Sequence, residues 1–430
     1  MTAARAPAFD FSDGLEALQA GRPAEAEFLF DEQLEAADDR WTAMSHLAAL
    51  LMKHSFLDAA LATCQREVDE RRRAGARSSN SECNLLAFHA FRQDMDTALA
   101  LADEIIATWP DHANARLKRA LLRYQTRQLK PAIDDASAAV IIDRTFEMAW
   151  DALAHWLGIA GRHDEAVQAG RKVLAMKDER VCKTFATYGQ AGAKPGGSVP
   201  PFEPRRPERN AIAYSLWGND PSYTEILVLN ARIQPHLYPG WHMRVYHDDT
   251  VPASVLARLS GAGVRLIPQP PAAGTKIGLL WRFAVADDPG VDRYIVRDAD
   301  SLLTVQERVA VDAWIASGRR FHVMRDFYSH TDLILAGLWG GITGAIPGLY
   351  QSARRYFDTV TVHDRKLDQN FLNTNIWPLL KQDVLIHDTY FGNFGAVLFP
   401  DLGRLPAGRH VGQSQKVTRR SQPGKKGPTA

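Results

Sequence analysis

Asp298 and Asp300, in the stretch VDRYIVRDADS (Val291–Ser301), are the residues of this chain best placed to do chemistry. The β-prone run Tyr294-Ile295-Val296 leads straight into Asp298-Ala299-Asp300, which predicts a buried strand ending in two carboxylates. In open α/β sheets, ligands bind at the carboxyl ends of the strands. Alternate residues of a strand share a face, so the two carboxylates can point the same way. Hard oxygen donors held together suit Mn²⁺ or Mg²⁺ bridging substrate phosphates. A second D-x-D, Asp94-Met95-Asp96, falls in a turn of a helical region, where turn and cap roles account for it. Context, not the tripeptide, carries the expectation for Asp298 and Asp300.

The elements that must position this pair come from the rest of the chain. Its 430 residues suffice for two or three domains with sizeable cores. A hydrophobic content of 46% and a charged content of 23% fit an ordinary globular protein. The formal net charge of +1 gives no sign of a nucleic-acid partner. No apolar run approaches the length of a transmembrane segment, and the opening MTAARAPAFDFSDG lacks a signal-peptide core, so the expected location is cytoplasmic. Cys64, Cys83 and Cys182 are widely spaced with no C-x-x-C, and read as small buried hydrophobes.

The first part of the chain repeats. Ala26, Ala60, Ala98, Ala132 and Ala166 occupy the same local setting, in PAEAEF, LDAALA, MDTALA, KPAIDD and DEAVQA, at spacings close to 34 residues. That period resembles the tetratricopeptide repeat, a helix–turn–helix unit whose small residue lets paired helices approach. Gly21 and Gly161 sit where the turn between helices is expected, and RRRAGARSSN (Arg71–Asn80) reads as a loop insertion. Residues 8–190 are thus expected to form an all-α tetratricopeptide-repeat solenoid. Residues 191–207 read as a Gly- and Pro-rich linker, and residues 414–430 as a disordered basic tail. Between them, residues 208–413 alternate strand-like and helix-like segments, which predicts an α/β, Rossmann-like domain with a mostly parallel sheet.

With the order β-α-β-α-β-α-β followed by D-x-D, residues 208–413 resemble the GT-A glycosyltransferases, and among them the retaining glycogenin and lipopolysaccharide-galactosyltransferase type. The resemblance implies a nucleotide-sugar donor, most simply a UDP-sugar, over the strand ends, with its diphosphate on a metal ion held by Asp298 and Asp300. It makes Arg282, 16 residues before Asp298, a donor contact together with Asp298. DQNFLN (Asp368–Asn373) is similar to the family's D-Q-D-x-L-N, with Asn370 in place of the second acid, and marks Asp368 and Gln369 as candidate catalytic residues. LAGLWGGITG (Leu335–Gly344) is similar to the family's glycine-containing strand beside the donor, which assigns Gly340 and Gly341 to donor binding. His387, after a plausible strand, stands for the family's late metal-binding His, although K-P-W is absent.

The expected function is a metal-dependent glycosyltransferase acting on a glycan, lipid-glycan or protein acceptor, which the repeats would present as those of O-GlcNAc transferase are placed to do. If the reaction inverts configuration, it needs a carboxylate base, and Asp326, Asp332 and Asp368 are the candidates. Two alternatives stand beside this reading. One is a repeat scaffold carrying an inactive transferase domain. The other is a nucleotidyltransferase, although YSLWGNDPSY (Tyr214–Tyr223) supplies only one glycine for a phosphate loop.

Overall fold

The computed structural model describes residues 9–188, 195–272, 274–360 and 364–415. The chain divides into two compact units, Met1–Ala149 and Trp150–Ala430. The basic tail expected from residue 414 falls mostly on residues 416–430, outside the described residues. Ser414 and Gln415 are described and belong to the second unit.

In the first unit, α1 (Ser12–Gln19) pairs with α2 (Pro23–Glu35), α3 (Arg40–Lys53) with α4 (Leu57–Arg73), α5 (Ser79–Phe91) with α6 (Met95–Thr108), and α7 (Ala113–Gln125) with α8 (Leu129–Ile142). This is a helical repeat. The starts of several helices are capped: Asp39, Ser78 and Asp94 side chains accept backbone N–H bonds from the first turns of α3, α5 and α6. Asp94 therefore plays the capping role its setting suggested. The expected loop at Arg71–Asn80 is instead largely helix and turn. Arg71–Arg73 end α4, and Arg72 and Arg77 converge on the buried carboxylate of Glu82.

The repeat alanines are fully buried, as helix contact requires: Ala26, Ala60, Ala98, Ala132 and Ala166 are each 0% exposed. Each is preceded, five residues earlier, by a residue in the left-handed backbone region: Gly21, Ser55, Gln93, Arg127 and Gly161. The turn is constant while its glycine is not, which explains why only two turns were visible as glycines in the sequence.

The second unit begins within α9 (Glu147–Ile159) and continues through α10 (His163–Tyr188) into a seven-stranded sheet. Strands β1 (Asn210–Leu216), β2 (His242–His247), β3 (Arg265–Pro268), β4 (Arg293–Val296), β5 (Phe321–Arg325), β6 (Trp339–Ile342) and β7 (Val384–Asp388) lie in the order β3–β2–β1–β4–β6–β5–β7. Pairing is parallel except along β6, which runs antiparallel to both β4 and β5. The connections carry α11 (Pro221–Leu237), α12 (Ala253–Gly261), α13 (Gly278–Trp281, continued by a 3₁₀ turn Arg282–Asp287), α14 (Val305–Ser317) and α15 (Leu349–Thr359). Before β7 come α16 (Leu367–Phe371), a π-helical turn (Leu372–Ile376) and α17 (Trp377–Leu380). β1, β4, β5 and β6 are buried along their whole length, as central strands covered on both faces must be.

Two expected boundaries move. Residues 195–207 do not form a free linker: Arg320 donates to the Gly197 carbonyl at 2.7 Å, and the Phe202 ring packs 6.0 Å from that of Trp241. More important, α9 and α10 belong with the sheet and not to a separate repeat domain ending at residue 190. A Cβ on Gly158 would come within 2.2 Å of the Tyr328 ring, and one on Gly170 within 2.1 Å of Phe391. Arg171 donates to the Phe391 carbonyl at 2.6 Å, and Asp178 accepts from the Trp377 indole at 2.7 Å and from Lys381 at 2.8 Å. A chain beginning at Glu208 would lose these contacts, so residues 208–413 are not the natural limits of the folding unit.

A non-glycine residue in the left-handed region carries a strain of about 1 kcal/mol. Gln93→Gly and Arg127→Gly should each stabilise the protein by about 0.5 kcal/mol, after the greater entropy of the unfolded glycine chain is deducted. Urea unfolding of the single and double variants tests this, and a lowered midpoint in both single variants would contradict the constant-turn account.

Candidate functional site

A cavity of about 380 Å³ opens in the second unit beyond the carboxyl ends of β1 and β4. Chain order reverses between these two strands, because β1 leads outward to β2 and β3 while β4 returns to its other side. That is the crevice where ligands sit in doubly wound sheets. Trp217 follows β1 and Asp298 and Asp300 follow β4, and all three line the cavity.

Asp298 and Asp300 lie in the turn just after β4, so strand alternation does not aim them. The turn itself is clamped. Below it, Arg297 is buried and donates to Glu307 of α14 at 2.5 Å, and Tyr238 donates to the same carboxylate at 3.1 Å. Beside it, the Asn230 amide of α11 donates to the Ser301 carbonyl at 2.7 Å and accepts from the Leu303 N–H at 3.0 Å. Above it, Ser414 forms a β-bridge with Ser301, and the Gln415 N–H donates to the Asp300 carbonyl at 2.7 Å. The domain therefore extends past Gln413, and its last described residues help build the site.

Arg282 organises the wall. Its Nη1 donates to Asp298 Oδ1 at 2.5 Å and to the Arg297 carbonyl at 2.7 Å, and its Nη2 donates to Asp368 Oδ2 at 2.6 Å. Burial alone would disfavour the guanidinium charge, but Asp298 and Asp368 together hold it protonated. Asp368, at the start of α16, is buried and its carboxyl is raised above the usual range, first by burial and against the pull of Arg282. Asp300 has no such cation at ion-pair distance among the described residues. Burial, and then the Asp298 carboxylate, push it up to about 6.

The remaining sequence candidates separate. Gln369 lines the cavity, but its side-chain amide donates to Asp332. Asp332 in turn accepts from Lys177 of α10 at 2.9 Å, and Lys177 is bound by both Asp151 oxygens at 2.9 Å. Asp326 accepts from Thr389, from Gln306 at 3.0 Å and from the Val411 N–H at 3.1 Å, and does not line this cavity. Of the three candidate bases, Asp368 alone borders the cavity.

Gly340 and Gly341 do not line the cavity either. They sit inside β6, where a Cβ on Gly340 would meet the Tyr294 carbonyl at 2.5 Å and one on Gly341 the Phe321 ring at 2.9 Å, so their smallness serves the sheet. The glycine that serves the site is Gly337, where a Cβ would fall 2.0 Å from Asp298 Oδ2.

His387 is also displaced from its expected role. It lies within β7, is 1% exposed, and shares a hydrogen bond of 2.8 Å with Nε2 of His322 on β5. Trp314 stacks on His322 at 5.6 Å and Phe399 packs on His387 at 5.3 Å. His387 is a buried sheet residue and does not reach Asp298 and Asp300. Cavity residues that sequence reasoning passed over are Lys276, His330, Gly337, Arg365 and Gly412. Gly337 lay inside the glycine-rich segment already singled out; the others carried no local signal.

No family model matches the chain, and no curated protein does either. Solved structures of MamA are similar to part of it. The crystal structure of MamA is 18% identical with a TM-score of 0.31, over 41% of this chain and 97% of that one. MamA MSR-1 C2 is 21% identical with a TM-score of 0.29, over 40% and 95%. MamA 41-end from Desulfovibrio magneticus RS-1 is 17% identical with a TM-score of 0.31, over 39% and 93%.

His322 is held well below the usual imidazole value and His387 at about 4, in both cases chiefly by burial. The unfolded chain takes up these protons near pH 6.5. Stability from the pair is therefore complete above about 6.5 and is lost as pH falls toward 4. Thermal midpoints should hold from pH 8 to 7 and drop below 6.5, less steeply in His322→Phe/His387→Leu; an unchanged slope in that variant would rule the pair out as the cause. Separately, Gly337→Ala should leave circular dichroism and cooperativity of melting intact while displacing the Asp298 carboxylate, with ligand binding at the cavity reduced at least about tenfold, the cost of one misplaced charged contact.

Proposed function

We propose that the second unit is a metal-dependent glycosyltransferase that takes a nucleotide-sugar donor, most simply a UDP-sugar. The observation that carries the reading is the arrangement of Asp298, Asp300, Arg282 and Asp368 around one cavity at the switch point of the sheet. The chain's resemblance to the GT-A enzymes supplies the class of donor, and Trp217, Lys276 and Arg365 give the cavity an aromatic surface and two cations suited to a nucleoside diphosphate.

The donor set fits a Mn²⁺ or Mg²⁺ ion. Asp298 and Asp300 are hard oxygen donors, and the Asp300 carboxyl, raised first by burial and then by the Asp298 carboxylate, would be favoured in its ionised form by a cation bound there. No cluster of three or more His, Cys, Asp or Glu side chains able to hold a metal occurs among the described residues. Two carboxylates with the rest of the shell from phosphate and water is the usual arrangement for Mg²⁺. When bound, such an ion supplies neutralisation of the charge that develops on the departing nucleoside diphosphate.

The protein's own residues then have separable tasks. Arg282 fixes Asp298 and Asp368 relative to one another, so that neither reorganises when charge moves. Lys276 and Arg365 attract the anionic donor. Asp368 borders the cavity in contact with Arg282, and the resemblance to the GT-A enzymes assigns it to orienting or stabilising the sugar end of the donor. The helical first unit has a cleft of about 370 Å³ lined by Ala48, Met52, Phe88 and Phe91, a suitable surface for presenting an acceptor or a partner segment.

Thermal shift with Mn²⁺ and a panel of nucleotide-sugars tests the proposal. The true donor should raise the melting temperature in the presence of Mn²⁺, by RT ln(1 + [L]/Kd) in free energy. Asp300→Ala and Asp298→Ala should abolish the metal-dependent shift and any donor hydrolysis without altering the fold. Full activity in the double variant would sink the metal-site reading.

A further inference from the structure

His330 lines the cavity but takes no part in the Arg282 network. It lies in the loop between β5 and β6 and is 8% exposed. Its ring is held on several sides. The Asp326 N–H donates to Nδ1 at 2.9 Å, the Phe327 ring lies edge-on at 6.3 Å, and His410 lies edge-on at 4.8 Å. His410 is itself stacked on Phe327 at 4.4 Å, so the ring has little freedom to turn.

The backbone bond settles the tautomer. An Nδ1 that accepts from an amide carries no proton, so the proton of a neutral imidazole is on Nε2. Burial, followed by His410, Arg325 and His155, keeps the ring neutral. A protonated Nε2 has no lone pair, which excludes His330 both as a metal ligand and as a base. What remains is a hydrogen-bond donor with no protein acceptor among the described residues. Nε2 is not one of the buried polar atoms left without a partner, so this donor is open to a ligand or water at the cavity that His330 lines.

Position narrows the acceptor. Asp298 and Trp217 follow β4 and β1, whereas His330 follows β5, two strands further along the sheet. A nucleotide-sugar whose diphosphate bound at the switch point would extend its outer phosphate oxygens and sugar toward this end of the cavity.

Resting on the function proposed above, we infer that His330 is a donor-substrate-binding residue, whose Nε2–H donates a hydrogen bond to an oxygen of the sugar–phosphate end of the nucleotide-sugar. The interaction sets the orientation of the transferred group and requires no proton transfer.

The test uses the full chain with Mn²⁺ and titrates UDP and UDP-hexoses in parallel. His330→Phe removes the donor and should weaken UDP-hexose binding roughly tenfold, the worth of one hydrogen bond. His330→Gln places an amide N–H near the Nε2 position and should restore most of it. Loss confined to UDP-hexoses assigns the acceptor to the sugar, and equal loss for UDP assigns it to a phosphate oxygen. Nitrogen NMR of histidine-labelled protein without ligand should show a neutral ring protonated on Nε2, a result that depends on neither variant folding. A proton on Nδ1, unchanged UDP-hexose affinity in His330→Phe, or a fall in Mn²⁺ affinity without nucleotide would each overturn the inference. Wild-type protein that binds no UDP-hexose would overturn the functional reading as well, and so is distinguishable from failure at His330 alone.

Discussion

One buried cation holds the site together. The Arg282 guanidinium is enclosed between Asp298 and Asp368, which lie 16 and 86 residues away in the chain. Desolvating a charge costs several kcal/mol, and a buried ion pair offsets this only with good geometry and further hydrogen bonds. Arg282 has both, since the same nitrogen that meets Asp298 also meets the Arg297 carbonyl. Losing Arg282 would strand the buried Asp368 carboxylate, whereas losing the half-exposed Asp298 leaves Arg282 still paired with Asp368, so it is the contact between the 3₁₀ segment before β4 and the start of α16 on which the wall depends.

From Asp368 the same logic runs outward. The next residue, Gln369, is tied to Asp332, Asp332 to Lys177, and Lys177 to Asp151. Lys177 stays charged despite burial because Asp332 and Asp151 outweigh the desolvation cost. The helix carrying Asp368 and Gln369 continues directly into a π-helical turn, a distortion that is frequent at functional sites. Its carboxylate is thus positioned from two sides, by Arg282 across the cavity and by α10 from behind.

Much of this was legible in the sequence, and the rest was not for physical reasons. The strands from β1 to β5 were readable because hydrophobic runs and turn residues are local signals. Asp298 and Asp300 stand out at the end of a strand legible in the sequence, whereas Arg282 and Asp368 stand out only through the resemblance to the GT-A enzymes; the structure brings all four to one cavity. Gly340 and Gly341 were misassigned because a glycine inside a strand and one beside a carboxylate have the same sequence appearance. Only the packing of Asp298 against Gly337 tells them apart. His387 was chosen by chain position, while the cavity took His330, whose approach depends on how β5 and β6 pair. The membership of α9 and α10 in the second unit was hidden for a similar reason. Their alanines keep the repeat period, but Gly158, Gly170 and Lys177 make their decisive contacts with residues more than 150 positions away.

The double allegiance of α9 and α10 bears on how such a chain can be recombined. By periodicity they are one more hairpin of the solenoid, yet the carboxylates of the cavity are braced against them. A breakpoint placed at the obvious compositional seam near residue 195 would sever the brace. Modular inheritance of the sheet-containing unit therefore requires that α9 and α10 travel with it.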